Sequence, residues 1–283
     1  MLTEQLKRRL SLLRRGQGAP AAARTAHPAH PAQARELGEC FPEGAVEETA
    51  RGEVFACSAP LTQLVPEASR LARLYAGAFE RARELGAEAL PRQLRPLAEA
   101  EVSQSALIDT ETAGLHGRPL FLVGLVRPAG DELVLSQYFA RTYAEEAALL
   151  GRLSEILPEI KLLISFNGKS FDWPFVRDRM VYHRLLCAAD LAHLDLLHAS
   201  RRRWRGQLPD CRLQTLERFI CRRWRRGDIP GAEIPQRYHD FVREQDARLI
   251  APIFHHNRLD LITMIEVLVA LIAAETKGST DDC

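Results

Sequence analysis

The stretch LIDTETAGL, residues 107–115, decides the fold of this chain. It sets two acidic residues, Asp109 and Glu111, directly behind a short apolar run that is typical of a buried strand. Residues i and i+2 of a strand point to the same face of the sheet. The two carboxylates are therefore expected side by side, where they repel each other. A bound multivalent cation would turn that repulsion into a binding site.

Two later segments place acids in comparable positions. SFNGKSFDWPFV carries Asp172 after a strand-like run and a glycine-containing turn, and HHNRLDLITM carries Asp260 in the last helical segment. Four carboxylates at one site need compensating charge, and Mg²⁺ and Mn²⁺ are hard cations that prefer oxygen ligands. Two such ions about 4 Å apart activate a water and stabilise the leaving oxygen in phosphodiester hydrolysis. The predicted ligands of two Mg²⁺ or Mn²⁺ ions are Asp109, Glu111, Asp172 and Asp260.

Composition sets broad limits on the class of protein. The chain has 283 residues, of which 46% are hydrophobic and 27% charged, so it can bury one large core or two modest ones. The net charge of +1 favours no class of partner by itself. The six cysteines form no CxxC pair, and no apolar run resembles a signal peptide or a membrane span. We therefore expect a cytoplasmic protein with reduced thiols and no membrane partner.

The first 38 residues differ from the rest. They open with the basic, leucine-bearing run LTEQLKRRLSLLRR and continue with a segment rich in alanine and proline. This predicts a short amphipathic helix followed by a disordered linker, and a solvated tail is favoured over a docking peptide or a nucleic-acid-binding arm. The predicted organisation is a disordered basic tail at 1–38, a strand and helix extension at 39–100, the main domain at 101–276 and a tail at 277–283.

The order of elements predicts an α/β domain with a mixed β-sheet flanked by helices. A strand-like run at 52–61 and a helix over 66–99 precede three further strand-like runs. The later predicted elements are strands at 105–109, 119–127, 133–139 and 161–166, and helices at 143–156, 172–186 and 252–275.

The three acidic segments resemble the motifs of a known family. DTET, FNGKSFD and HNRLD resemble the three motifs of the DEDD-type 3′–5′ exonucleases of the ribonuclease H-like superfamily. HLDLLHASRRRW, LPDCRLQTLERFI and GDIPGAEIPQRYHDFV are similar to the bacterial YprB-type ribonuclease H-like domain. The resemblance covers about residues 50–275. Asp-x-Glu alone is a common pattern, but the three motifs in this order and on these elements are specific.

The resemblance implies a ribonuclease H-like fold and metal-dependent 3′–5′ exonucleolytic cleavage of DNA or RNA, with single-stranded 3′ ends as the partner. It implies that Asn167 lies near the substrate. Two other functions stay open: a catalytically weak nucleic-acid-binding module with the same fold, and a structure-selective endonuclease. Asp195 is expected to cap a helix rather than to bind metal.

The general base has two candidates, His255 and His256. Families of this type carry either a histidine five residues before the last acid or a tyrosine four residues before it. In a helix of 3.6 residues per turn, His256 lies about 40° from Asp260 and His255 about 140° away. The helical face favours His256, whereas the family spacing favours His255 if that turn is irregular.

Residues 201–226 hold ten arginines and two acids, together with two tryptophans, Trp204 and Trp224. Arginines track phosphates and aromatic rings stack on bases in proteins that bind single strands. The alternative is a solvated helix face whose arginines pair with acids elsewhere. Given the acidic site, the first interpretation is favoured. The predicted nucleic-acid contacts are Asn167, Arg201, Arg202, Arg203 and Trp204.

Overall fold

A seven-stranded mixed sheet forms the centre of the computed structural model, which describes residues 34–114, 117–187 and 191–278. The strands are β1 (Gly44–Thr49), β2 (Gly52–Pro60), β3 (Ser105–Thr112), β4 (Leu120–Ala129), β5 (Glu132–Phe139), β6 (Leu162–Ser165) and β7 (Ala192–Asp195). Their spatial order is β1-β2-β5-β4-β3-β6-β7. Neighbours from β1 to β3 are antiparallel, whereas β6 and β7 run parallel to β3. The predicted mixed sheet is confirmed.

Helices cover both faces of this sheet. They are α1 (Leu37–Cys40), α2 (Leu61–Leu64), α3 (Ala68–Leu85), α4 (Arg95–Glu99), α5 (Glu146–Ile156), α6 (Asp172–Tyr182), α7 (Leu196–Trp204), α8 (Leu213–Phe219), α9 (Ile234–Glu244) and α10 (Ala251–Gly278). One core packs α5, α6 and α9 against the sheet, and the other packs α3, α7, α8 and most of α10. Because both faces are covered, the central strands are apolar throughout their buried parts rather than alternating.

The central strand β3 leaves the core at its acidic end. Its first four residues, Ser105–Ile108, are buried, and Asp109–Thr112 are partly exposed. The strand continues three residues beyond the predicted 105–109, so both acids belong to the strand itself. The core therefore fixes the backbone that presents them.

Three predicted elements differ from the structure. The helix expected over 66–99 ends at Leu85, because Gly86 adopts φ 79° and its N–H bonds back to the helix, and α4 then begins at Arg95. The strand β1 was not predicted, because GAVEET is polar and lies at a sheet edge. The strand β7 was also missed, because four residues carry little periodicity.

The predicted domain boundary near residue 100 crosses one sheet. Strands β1 and β2, from the predicted extension, pair in the same sheet as the strands of the main domain. The described residues from 34 onward form one compact unit by their contacts. The predicted tail at 1–38 lies outside the described residues up to residue 33, and α1 starts at Leu37; most of the tail at 277–283 also lies outside them. In the part of the chain that the structure describes, no helix is both long and apolar enough to cross a lipid bilayer.

Candidate active site

The first acid, Asp109, is held by an amide from the last helix. The Asn257 side chain on α10 donates to Asp109 Oδ2 at 2.8 Å and to its main-chain oxygen at 3.2 Å. On β4, Gly124 stands opposite Asp109, and a Cβ atom there would lie 2.1 Å from Asn257 Oδ1. Only glycine allows α10 to approach the sheet this closely. The helix that carries Asp260 is therefore seated directly beside the strand that carries Asp109.

A buried hydrogen-bond network fixes the orientation of Asn257. Gln137 Nε2 on β5 donates to Asn257 Oδ1 at 2.8 Å and to the Phe254 carbonyl at 2.9 Å. With its oxygen engaged by Gln137, the Asn257 amide turns its N–H groups toward Asp109. Both amide side chains are buried, so an unmet partner would be costly.

The turn before α6 positions Asp172, the first residue of that helix. Asn167 adopts φ 65°, and a Cβ atom at Gly168 would lie 2.3 Å from Ser165 Oγ, so the turn depends on this Asn-Gly pair. Thr110, between the two acids of β3, donates its hydroxyl to Asp172 Oδ1 at 2.5 Å. This bond ties the second acidic segment to the first.

Asp195 holds the same turn from below. Its Oδ1 accepts from the N–H groups of Asn167 at 2.8 Å and Leu197 at 3.0 Å, and its Oδ2 accepts from that of Lys169 at 3.1 Å. It is the N-cap of α7, as predicted, and it is buried. Three backbone donors occupy this carboxylate, which makes it a structural acid.

The last acid, Asp260, has a histidine and an arginine as neighbours. His256 Nε2 lies 3.5 Å from Asp260 Oδ2, and His256 Nδ1 lies 2.7 Å from Asp228 Oδ1. Arg225 forms ion pairs with Asp260 and with the buried Glu217, and its Nη1 lies 3.0 Å from Asp228 Oδ2. Neither Arg225 nor Asp228 is among the site residues predicted from the sequence.

The two histidines lie on different faces of α10. The helix begins at Ala251 and is regular through both, so the irregular turn that would favour His255 is absent from it. His256 faces Asp260, whereas His255 Nδ1 lies 3.1 Å from Arg258 Nη2. Burial and the nearby Arg258 charge lower the pKa of His255 below its ordinary value. The geometry favours His256 as the base, and its role stays a prediction.

Burial and crowding act on three of the four predicted metal ligands in the same direction. Burial, followed by the charge of Asp260 and the other acids, raises the pKa of Asp109 and of Glu111 well above the ordinary carboxyl range. Burial also raises the pKa of Asp172, against the bond from Thr110. Each side chain is nevertheless partly accessible to solvent. The carboxylates are thus close enough to repel and still open to solution.

These residues fit divalent cations by their chemistry. Within the described residues, neither Asp109 nor Glu111 contacts a lysine or arginine side chain, so their charge has no internal cation. Over the same part of the chain, no three Asp, Glu, His or Cys side chains are already arranged around a common ion position. Asp260 is engaged by Arg225 instead. The oxygen donor set matches Mg²⁺ or Mn²⁺, and binding would require Asp260 to exchange partners.

The predicted nucleic-acid contacts lie in different environments. Arg201 is exposed and Arg203 is half-buried, whereas Arg202 forms an ion pair with Glu275. Trp204 is only 6% exposed and packs in the core, so its ring has no face available to a base. The prediction that Trp204 contacts nucleic acid is therefore corrected. Its position at i+8 from Leu196 on an amphipathic helix is a core position, which periodicity could have indicated.

Sequence signals existed for some of the missed residues. Asn257 precedes Asp260 by three residues, so the helical period alone places it on nearly the same face. Asp228 lies in GDIPGAE, part of a segment that resembles the YprB-type domain. No local pattern identifies Arg225 among its neighbouring arginines, because its contacts are all with distant or loop acids.

Comparison with known proteins agrees with this architecture. A family model described as RNase_H superfamily matches residues 106–272, which run from β3 into α10 and include all four acids. The chain therefore belongs to the ribonuclease H superfamily, whose fold is that of nucleic-acid hydrolases.

A similar curated protein is the "Uncharacterized protein YprB" of Bacillus subtilis (strain 168). It is 34% identical over 167 residues, which are 57% of this chain and 40% of that protein. The resemblance to YprB-type domains is confirmed. The chain spans less than half the length of this relative, so the likeness concerns the domain and not the whole of the longer protein.

Proposed function

We propose that this chain is a metal-dependent 3′–5′ exonuclease that hydrolyses phosphodiester bonds of DNA or RNA by a two-metal-ion mechanism. The observation that carries the proposal is the meeting of acids from β3, α6 and α10 at one end of the sheet, where burial and then the charges of the neighbouring acids raise the pKa of Asp109 and Glu111. Structural acids are normally arranged to lower their pKa, so a cluster that raises it indicates a site for an external cation.

The acids Asp109, Glu111, Asp172 and Asp260 would hold two Mg²⁺ or Mn²⁺ ions. When bound, such ions polarise the phosphodiester, activate a water and stabilise the leaving oxygen. Asn257 and Thr110 orient Asp109 and Asp172 through the hydrogen bonds described above. Supporting groups of this kind determine how precisely a ligand carboxylate is aimed.

His256 would accept the proton of the attacking water at Nε2. Its Nδ1 is bonded to Asp228, which fixes the ring orientation and stabilises the imidazolium that forms. His256→Asn is expected to reduce the metal-saturated rate about 10²–10⁴-fold, and His255→Asn to reduce it much less. If His255→Asn were the slow variant and His256→Asn nearly normal, the general base would be His255 instead.

A cavity of about 320 Å³ beside Thr110 and Asp172 offers a place for the strand end. Phe171, which lines it, is 62% exposed, and such a ring is suited to stacking on a terminal base. Single-stranded 3′ ends are therefore the proposed substrate, and a cytoplasmic location stays an expectation from the sequence.

One observation favours a second candidate function. Arg225 engages Asp260 and would compete with a metal ion for that carboxylate. A chain in which this pair persists would bind nucleic acid with little turnover. The catalytically weak binding module is therefore kept as the alternative.

A degradation ladder separates the candidates. Matched oligonucleotides labelled at the 5′ or the 3′ end are incubated with Mg²⁺, Mn²⁺ or EDTA, with Asp109→Asn as the inactive control. A 3′–5′ exonuclease shortens the 5′-labelled strand stepwise and releases labelled mononucleotide from the 3′-labelled one. Discrete internal fragments would indicate an endonuclease, and binding without cleavage would indicate the binding module.

A further inference from the structure

A second cavity is lined in part by Arg225, the arginine that pairs with Asp260. It measures about 680 Å³, within the usual range for small-ligand pockets, and is formed by α8 and the loop that follows it. Its lining includes Arg218, Phe219, Trp224, Arg225 and Asp228. We call it the Trp224 cavity.

The aromatic side chains of the Trp224 cavity are unusually exposed. Trp224 is 64% exposed and Phe219 47%, although large aromatic rings mostly lie in cores. The Arg218 guanidinium carbon lies 4.2 Å from the centre of the Trp224 ring and 5.3 Å from that of Phe219. Flat apolar surface and positive charge are thus presented together.

A buried acid holds this exposed loop in place. Glu217, 1% exposed, forms ion pairs with Arg223 at 3.2 Å and with Arg225. Arg223 also reaches α10, where Glu266 lies at 2.9 Å and the Thr263 hydroxyl at 2.6 Å. Trp224 stands between these two anchored arginines, so its backbone is fixed while its ring remains in solvent.

The charges of the cavity are complementary to phosphate. Among the described residues, Arg218 in the cavity lining has no carboxylate partner, and Arg222 and Arg226, which flank lining residues in the sequence, are exposed and also unpaired with acids. An unpaired guanidinium beside a stacking ring suits a nucleotide, which carries an anionic group next to a flat base. An acidic peptide would use the charge but leave the rings unexplained.

We propose that the Trp224 cavity binds one nucleotide of a single-stranded nucleic acid, with the base stacked on Trp224 and the phosphate paired with Arg218. This inference rests on the proposed function, because Arg225 and Asp228 line the cavity and also contact Asp260 and His256. A strand seated in the cavity therefore lies beside the acidic cluster.

Equilibrium binding without metal tests the cavity independently of hydrolysis. Anisotropy of a labelled oligothymidylate of about ten nucleotides is measured in EDTA, so that no strand is cut. Trp224→Ala should weaken binding about 5- to 160-fold, the range for loss of one stacked base, while Trp224→Phe retains most of the affinity. Tyr182→Ala, which removes an equally exposed ring outside the cavity, should bind normally. An unchanged affinity in Trp224→Ala overturns the proposal.

Two further measurements separate the contribution of phosphate pairing from that of base stacking. Arg218→Gln should reduce the slope of log affinity against log salt by about one, as expected for one lost phosphate contact. Inorganic polyphosphate should compete poorly because it has no bases, and a free nucleoside monophosphate should bind more weakly than the oligomer. Equal affinity for the free nucleotide would make this a mononucleotide site and overturn the strand assignment. Failure of the proposed nuclease activity would instead leave these affinities intact and abolish only cleavage with Mg²⁺ or Mn²⁺.

Discussion

Glu146 and Asp109 are two acidic side chains beside β4 with opposite surroundings. Glu146 accepts bonds from Arg179, from His183 Nε2 at 2.9 Å and from the Leu120 N–H at 2.7 Å. Burial by itself would raise the pKa of Glu146, but these donors hold it below its ordinary value. Among the described residues, Asp109 accepts a side-chain hydrogen bond only from the neutral Asn257 amide, and burial with three neighbouring acids raises its pKa. The fold itself supplies Glu146 with groups that stabilise its negative charge. Asp109 needs an external cation for the same purpose.

The largest expected effect is on catalysis. Asp109→Asn keeps an acceptor for Asn257 but removes a metal ligand, and the nuclease rate should fall at least about a thousandfold, or about 4 kcal/mol. Glu146→Gln, measured at low temperature where it is folded, should keep a rate near that of the wild type. Comparable losses in the two variants would erase the distinction between them.

Stability should respond in the opposite way. Glu146→Gln leaves Arg179 and His183 without their buried anionic partner, and the free energy of unfolding should fall by about 3 kcal/mol. Urea unfolding followed by circular dichroism measures this change. A loss comparable to that of an ordinary surface substitution would show that the Glu146 cluster does not anchor α5 to α6.

A bound metal ion should stabilise the folded protein only where Asp109 is present as a ligand. At a Mn²⁺ concentration of about 100 times the dissociation constant, the free energy of unfolding of the wild type should rise by about 2.7 kcal/mol. Glu146→Gln should show a similar rise from its lower baseline, whereas Asp109→Asn should show little. Thermal melts with and without EDTA provide the measurement, and a full rise in Asp109→Asn would remove that acid from the site.

The pH dependence of stability should also differ in sign. A raised folded-state pKa makes the charged acid destabilising, so in EDTA Asp109→Asn should be more stable than the wild type near neutral pH and match it below about pH 4, where the acid is protonated in both the folded and the unfolded state. The lowered pKa of Glu146 means that its contribution is present at neutral pH and is lost as the pH falls. The deficit of Glu146→Gln should therefore shrink in acid. Parallel curves for the two variants would contradict the comparison.

The smallest effect is expected at Thr110, whose hydroxyl donates one hydrogen bond to the Asp172 carboxylate. Thr110→Val keeps the shape of the side chain and removes the donor, and the free energy of unfolding should fall by about 1 kcal/mol. Thr112→Val removes a hydroxyl bond to the neutral Gly114 carbonyl, so urea unfolding of both variants shows which part of the loss depends on the Asp172 carboxylate. A Thr110→Val variant as stable as the wild type would contradict the prediction.

Periodicity and motif spacing could predict the central part of this molecule. The strands β3, β4 and β5, the helix α10 and the acids Asp109 and Asp172 all follow from local patterns, because an apolar run or a turn dipeptide marks each of them. The polar edge strand β1 and the short β7 lack such marks, and pairing with neighbouring strands stabilises them instead.

The partners of the acids lay beyond what the sequence alone could predict. Arg225 meets Asp260 across 35 positions, and Gln137 meets Asn257 across 120. Such contacts depend on how the layers pack. The burial of Trp204 has the same origin: an arginine-rich run suggested an exposed surface, whereas the packing of α7 places this residue in the core.

Gly124 also determines how the candidate active site can move. Because Gly124 has no side chain, Asn257 and Leu261 of α10 pack directly on the backbone of β4, and we expect the helix and the strands β3 and β4 to move together as one rigid unit. Bending of the sheet carries Asp109, Glu111 and Asp260 together and preserves their spacing. Asp172 does not belong to this unit, because it follows the Asn167-Gly168 turn and is linked to β3 by the hydrogen bond from Thr110. We therefore expect the distance across the site to change mainly through movement of Asp172 relative to the other three acids.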